Sequence, residues 1–255
     1  MTWRQILPTS FTLAAMVAGF LSILVTVEGM RTSGSAAHPY YLWSAQLIML
    51  AMIFDGVDGN LARILKGKSE FGAELDTYVD LTAFGIAPAV LIFAVTLQSE
   101  PIWRVILPSA VAVSGVVRLA RFKVRDPLRG QGGYAGLPIT ANATWVALMV
   151  FISQTPPRDR FSLDQGPVAA LFLAGILVFI SLQVTNLRYP KPTKKAALFI
   201  PCVILVILML SLGYRQAVRV AVLMIVLGLV YVAVGPLFVK GMAVHRARRD
   251  ARTGG

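Results

Sequence analysis

Long apolar runs separated by short polar stretches dominate the 255 residues. Eight runs, at about 9–29, 41–64, 73–97, 104–122, 137–154, 167–186, 197–213 and 216–239, are near the ~20 helical residues that cross a hydrocarbon core. The pattern predicts an all-α integral membrane protein with about eight transmembrane helices. The first run has no small-residue cleavage site after it and reads as a retained helix rather than a signal peptide. The longest segments between runs, 30–40, 123–136, 155–166 and 187–196, are too short for a separate soluble domain. Residues 1–255 therefore read as one membrane domain, ending in a basic tail over 241–255 that is expected to fray.

Charge placement orients the helices. Cytoplasmic loops carry an excess of Lys and Arg, and with the N-terminus inside, 18 of the 24 basic residues fall on the inner side. The six outside are Arg31, Arg104, Arg158, Arg160, Arg215 and Arg219. Both termini are thus expected in the cytoplasm, with the protein in the cytoplasmic (inner) membrane. The net charge of +12 sits in short loops beside membrane helices, so anionic lipid head groups are the expected partner and nucleic acid is not.

The remaining special residues point to no separate site. Cys202, the lone cysteine, lies inside an apolar run and reads as a small buried hydrophobe. His38 and His245 fall in predicted loops and are expected to face solvent. Trp3, Tyr40, Tyr41, Trp43, Trp103 and Tyr189 cluster near predicted helix ends, where interfacial anchoring accounts for them.

One stretch departs from this apolar background. Residues 55–80 read DGVDGNLARILKGKSEFGAELDTYVD, four aspartates in a chain only 14% charged. On a helix Asp55 and Asp58 share one face with Gly59 and Ala62, so the smallest side chains flank the carboxylates. On the next helix Gly72, Asp76 and Asp80 are spaced i, i+4, i+8 and continue as one stripe into Ala83 and Ala87. The turn between places Lys66, Lys68 and Ser69 at the mouth of a pocket formed by the two helices. An unpaired Asp at membrane depth costs about 2.5 to 3.5 kcal/mol, and Arg63 alone cannot neutralise four. Either the carboxyls are protonated, or they bind divalent cations; an all-oxygen set suits Mg²⁺, Mn²⁺ or Ca²⁺ rather than zinc or copper. Two hard cations beside glycine-lined helix faces and basic loops suit in-line phosphoryl chemistry. Arg118 and Arg121 share a face near the inner end of the fourth run and form a candidate clamp for a phosphate or carboxylate. In the following loop, Arg125 and Arg129 read as interfacial charges.

Asp55-x-x-Asp58-Gly59-x-x-Ala62-Arg63, eight residues, then Gly72-x-x-x-Asp76-x-x-x-Asp80, resembles the full signature of the CDP-alcohol phosphatidyltransferases. That resemblance implies a membrane enzyme with two divalent cations, Mg²⁺ or Mn²⁺, held by Asp55, Asp58, Asp76 and Asp80. It implies that Gly59, Ala62, Arg63, Ser69 and Gly72 line the CDP pocket and that Asp80 is the general base. Homodimers are common in the family. Within it, LTAFGIAPA (81–89), RLARF (118–122) and GLP (136–138) are similar to the membrane-integral phosphatidylserine synthases. This finer likeness covers about residues 5–145 and implies CDP-diacylglycerol as donor and L-serine as acceptor, with 146–240 as additional helices. Thr9 and Lys123 stand where that pattern commonly has Asn or Asp, and Asn. A sister enzyme using glycerol 3-phosphate, inositol phosphate or a lipid alcohol is the alternative. A divalent-cation transporter is more remote, since the outer halves of the two aspartate-bearing helices (41–52 and 88–97) hold no acidic residue.

Overall fold

The computed structural model describes residues 2–67, 69–124, 133–156, 162–190, 196–211 and 213–253. Lys68, Arg125 and Arg129 lie outside the described residues, as do the side chains of Cys202 and His245. The helices are α1 (Trp3–Arg31), α2 (His38–Ile64), α3 (Glu70–Asp80), α4 (Ala87–Val95), α5 (Pro101–Val124), α6 (Ile139–Gln154), α7 (Pro167–Val184), α8 (Ala196–Ser211) and α9 (Tyr214–Thr253). A π-helical segment, Leu81–Ile86, joins α3 to α4 without a break. Between α5 and α6 a three-residue strand, β1 (Gly133–Ala135), pairs antiparallel with β2 (Arg188–Pro190).

Each apolar run coincides with one helical rod, the third with α3, the π segment and α4 together. Among the described residues, five stretches are long and apolar enough to cross a membrane: Trp3–Arg31, Glu70–Val95, Pro101–Val124, Pro167–Val184 and Tyr214–Pro236. Their outward faces carry Leu13, Val17 and Phe20 on α1, Val105 and Val113 on α5, and Val226 and Val230 on α9, all exposed. Such continuous apolar surface belongs against lipid tails. The chain is an integral membrane protein built of helices, with a short strand pair outside them. The shorter helix α6 is buried on nearly every face, with Trp145 stacked on Phe179 at 5.7 Å between ring centres and donating its Nε1–H to the Phe172 carbonyl at 3.2 Å.

Small residues bring α1 close to the aspartate-bearing helices, as is common where helices pack within lipid. Buried Ala15, Ala18, Gly19, Ser22 and Thr26 form its inner stripe. A Cβ on Gly19 would lie 2.6 Å from the Ala83 Cβ and 2.7 Å from its Cα, so only glycine permits this approach. Deeper, the Ser44 hydroxyl lies 2.8 Å from the Ser22 hydroxyl and 2.7 Å from that of Thr26, tying α1 to α2 with buried hydrogen bonds. Near the other end Pro8 cannot donate to the Arg4 carbonyl, and that carbonyl lies against Gly67 in the α2–α3 turn.

Four expectations change. The stripe running from Asp80 through Ala83 to Ala87 assumes regular α-helix, whereas the Ala87 N–H bonds back five residues to the Thr82 carbonyl. Pro88 explains the widening: it has no N–H, and its ring would crowd the Phe84 carbonyl in an ordinary turn. Tyr189 is fully buried rather than interfacial, because β2 carries it against Tyr231 of α9, 5.9 Å between rings. His38 opens α2 and is half-buried, its Nδ1–H donated to Gln154 Oε1 at 2.5 Å. The tail is helical rather than aperiodic as far as Thr253, where α9 ends, in keeping with the good helix propensity of its Ala and Arg residues.

Candidate active site

The aspartates sit where α1, α2, α3 and the C-terminal part of α5 meet. Asp55, Asp76 and Asp80 each offer a carboxylate oxygen, all within 4.8 Å of one another, and all three side chains are half-buried. Asp58 does not join this group. It lies about 60° round the α2 axis from Asp55, which turns it toward α1, where the buried Thr12 donates its hydroxyl to Oδ2 at 2.5 Å. Three carboxylates thus converge, and the fourth is held beside them by a threonine that sequence reasoning missed. One hydroxyl in an apolar run leaves too little signal to find it.

The turn between α2 and α3 and the helix ends beside it form a wall next to the aspartates, and that wall carries residues the signature marks. Ser69 is the N-cap of α3, its Oγ accepting the Gly72 N–H at 3.0 Å. A Cβ on Gly72 would lie 3.0 Å from that oxygen and 4.0 Å from the Thr9 hydroxyl, so glycine keeps this wall low. Thr9 itself donates to the Gln5 carbonyl. Across the turn Gly59 and Ala62 are half-buried, while Arg63 is exposed and folds its Nε–H back to the Gly59 carbonyl at 3.0 Å. The described wall is therefore glycine, alanine and hydroxyl, with one arginine at its rim.

The arginines of α5 part company. Arg118 is 9% exposed and close enough for its charge to act on Asp80. Arg121, three residues on, donates to the Val184 carbonyl and, at 2.6 Å, to Asn186 Oδ1, so it is engaged with the end of α7. Lys123 forms an ion pair with Glu74 of α3. One α5 turn before Arg118, the buried Ser114 donates to Gln183 Oε1 of α7 at 2.9 Å. The GLP loop docks on the same α7 end: the Leu137 N–H donates to the Leu182 carbonyl at 3.1 Å, and Gly136, at φ +78°, lies so close that a Cβ would meet the Gln183 carbonyl at 2.5 Å. Neither Ser114 nor Gln183 stood out in the sequence, because single polar residues within apolar runs have no spacing to betray them.

The sequence pattern of the CDP-alcohol phosphatidyltransferase family matches residues 5–187, most of the chain. The chain belongs to the CDP-alcohol phosphatidyltransferase family. The match passes the point near residue 145 where recognisable motifs end and stops just beyond α7, so it takes in Gln183 and Asn186. Among relatives, the chain is 27% identical over 244 residues to a CDP-diacylglycerol–serine O-phosphatidyltransferase of Helicobacter pylori, covering 96% of each. It is 34% identical over 193 residues to the Saccharomyces cerevisiae protein of that name, covering 69% of this chain and 67% of the other. An archaetidylserine synthase of Methanothermobacter thermautotrophicus is 28% identical over 190 residues, covering 72% of this chain and 70% of its own.

Divalent cations belong to the chemistry of CDP-alcohol phosphatidyltransferases, and the residues fit them. The donor set is carboxylate oxygen alone, which suits hard cations. Oxygens within 4.8 Å of one another can reach a common ion, since hard divalent cations take ligands at about 2.0 to 2.6 Å. The half-burial of the three leaves one side open for the phosphates of a ligand.

Proposed function

We propose that this protein transfers the phosphatidyl group of CDP-diacylglycerol to the hydroxyl of L-serine, forming phosphatidylserine and releasing CMP. The observation that carries the reading is the convergence of Asp55, Asp76 and Asp80 within 4.8 Å beside a glycine-walled mouth. The serine acceptor is supported by the names of relatives that align along nearly the whole chain.

Asp55, Asp76, Asp80 and Asp58 would hold two divalent cations, Mg²⁺ or Mn²⁺, which when bound offset the diphosphate charge and stabilise the oxygen of the departing CMP. Gly59, Ala62 and Gly72 let the cytidine diphosphate approach the backbone, with Arg63 and Ser69 at its edge. Thr12 fixes the Asp58 carboxylate in one orientation. Asp80 accepts the proton of the serine hydroxyl as its oxygen bonds to the lipid-side phosphorus, and the bond from that phosphorus to the CMP oxygen breaks. Holding the hydroxyl in line with the phosphorus contributes up to about 7 to 11 kcal/mol of barrier lowering.

The wider arrangement we propose has eight spans with both termini in the cytoplasm of a cytoplasmic membrane, the active site facing inward, and a homodimer as the working unit. The excess of Lys and Arg in alternate loops supports that orientation. Residues 5–187 would form the catalytic region and α8 with α9 an apolar scaffold.

Purified protein in CDP-diacylglycerol micelles with Mg²⁺ is expected to release CMP with L-serine and not with glycerol 3-phosphate or inositol phosphate. Preference for either of those acceptors would move the assignment to a sister enzyme. No CMP above the acceptor-free control with any of the three would sink the transferase reading.

A further inference from the structure

Arg118 needs a second donor beside it if a carboxylate is to be held in two-pronged fashion, and Arg121 is not that donor. Its guanidinium is occupied at the end of α7 by the Val184 carbonyl and Asn186. Ser114, Arg118 and Arg121 are spaced i, i+4, i+7 along one face of α5, and contacts with α7 flank Arg118 on both sides: Gln183 at Ser114, Val184 and Asn186 at Arg121. Gln183 thus lies within about one helical turn, ~6 Å along the α5 axis, of Arg118.

Gln183 is only 1% exposed. Ser114 Oγ, which also lies 2.8 Å from the Val111 carbonyl, sits 2.9 Å from Gln183 Oε1 and anchors the amide at that end, while Nε2, with its two N–H donors, has no hydrogen-bond partner among the described residues. A wholly buried amide anchored through one end and unmet at the other calls for an explanation, since buried donors in native proteins almost always find an acceptor. The adjoining groups name its class. Arg118 brings a positive charge, and beyond it stands Asp80, the base proposed for the acceptor hydroxyl.

We infer that Gln183 and Arg118 together bind the carboxylate of the acceptor amino acid, Gln183 Nε2 and the Arg118 guanidinium donating to its two oxygens. This rests on the reading that serine is the acceptor. A serine held by its carboxylate at this pair points its side-chain hydroxyl toward Asp80, so one contact sets both specificity and aim. It makes α7 part of the acceptor site, and Gln183 a specificity-determining residue.

The test compares L-serine with L-serinamide, which keeps the hydroxyl and lacks the carboxylate, using the full chain in CDP-diacylglycerol micelles. In Gln183→Leu the KM for serine is expected to rise about 10- to 100-fold, the loss of a hydrogen bond to a charged group. The KM for CDP-diacylglycerol and the rate with serinamide should not change. Gln183→Glu keeps the acceptor oxygen for Ser114 and opposes one carboxylate to another, so serine binding should weaken further. It also serves should the leucine variant fail to fold. A serine KM unchanged in Gln183→Leu, or lowered in Gln183→Glu, overturns the inference, as does an equal loss with serine and serinamide. If the unaltered chain turns over no serine at all, the serine reading falls and takes the inference with it; serine turnover with unaffected variants removes the inference alone.

Discussion

Asp80→Asn is expected to lower CMP release from CDP-diacylglycerol and L-serine by about 10²- to 10⁴-fold, the span lost when a positioned base is removed. Asparagine has the same shape and still fills the half-buried position at the end of α3. It cannot take the proton of the attacking hydroxyl, and it offers a neutral oxygen in place of an anionic one. With Mg²⁺ at saturation, where Asp55, Asp58 and Asp76 still offer anionic ligands, the loss should fall chiefly on kcat. Membrane insertion and the thermal unfolding midpoint in detergent serve as controls for folding. Turnover near that of the unaltered protein would take Asp80 out of the base role.

Asp55→Asn should reverse its effect on stability according to the metal. Asp55, Asp76 and Asp80 repel one another across less than 4.8 Å when all are ionised, and repulsion between neighbouring carboxylates opposes the folded state. With EDTA present, neutralising one of them should raise the unfolding midpoint. With Mg²⁺ at a hundred times its dissociation constant, the unaltered protein gains about 2.7 kcal/mol by mass action. The variant, one anionic ligand short, gains less, so the order of the two midpoints inverts. Unfolding scans of both proteins, each with EDTA and with MgCl₂, read this directly. An identical response to metal in the two would show that Asp55 is no ligand.

The apolar runs made the helical rods legible because crossing a bilayer demands about 20 apolar residues at a stretch, a signal few other constraints imitate. The aspartates were legible for the opposite reason: carboxylates are so costly at that depth that four at fixed spacing could hardly go unnoticed. The finer arrangement was hidden. Helical spacing alone pairs Asp55 with Asp58, yet Thr12 on α1 draws Asp58 aside, a contact between residues 46 apart in the chain. The π segment after Asp80 follows from Pro88 and reorients what lies beyond it. Arg118 and Arg121 share a face as read, but Arg121 is taken up by the end of α7, some 60 residues downstream. Contacts of this kind depend on which helices become neighbours, and a single sequence does not encode that in any local pattern.

The central claim is that the phosphatidyl group itself moves to serine, and the most direct measurement follows the phosphorus. CDP-diacylglycerol carrying ³²P at the lipid-side position, incubated with the protein, Mg²⁺ and L-serine, should yield the label in phosphatidylserine with unlabelled CMP in equal amount. Label appearing instead in a nucleotide product, or only in phosphatidic acid whether or not serine is added, would contradict it.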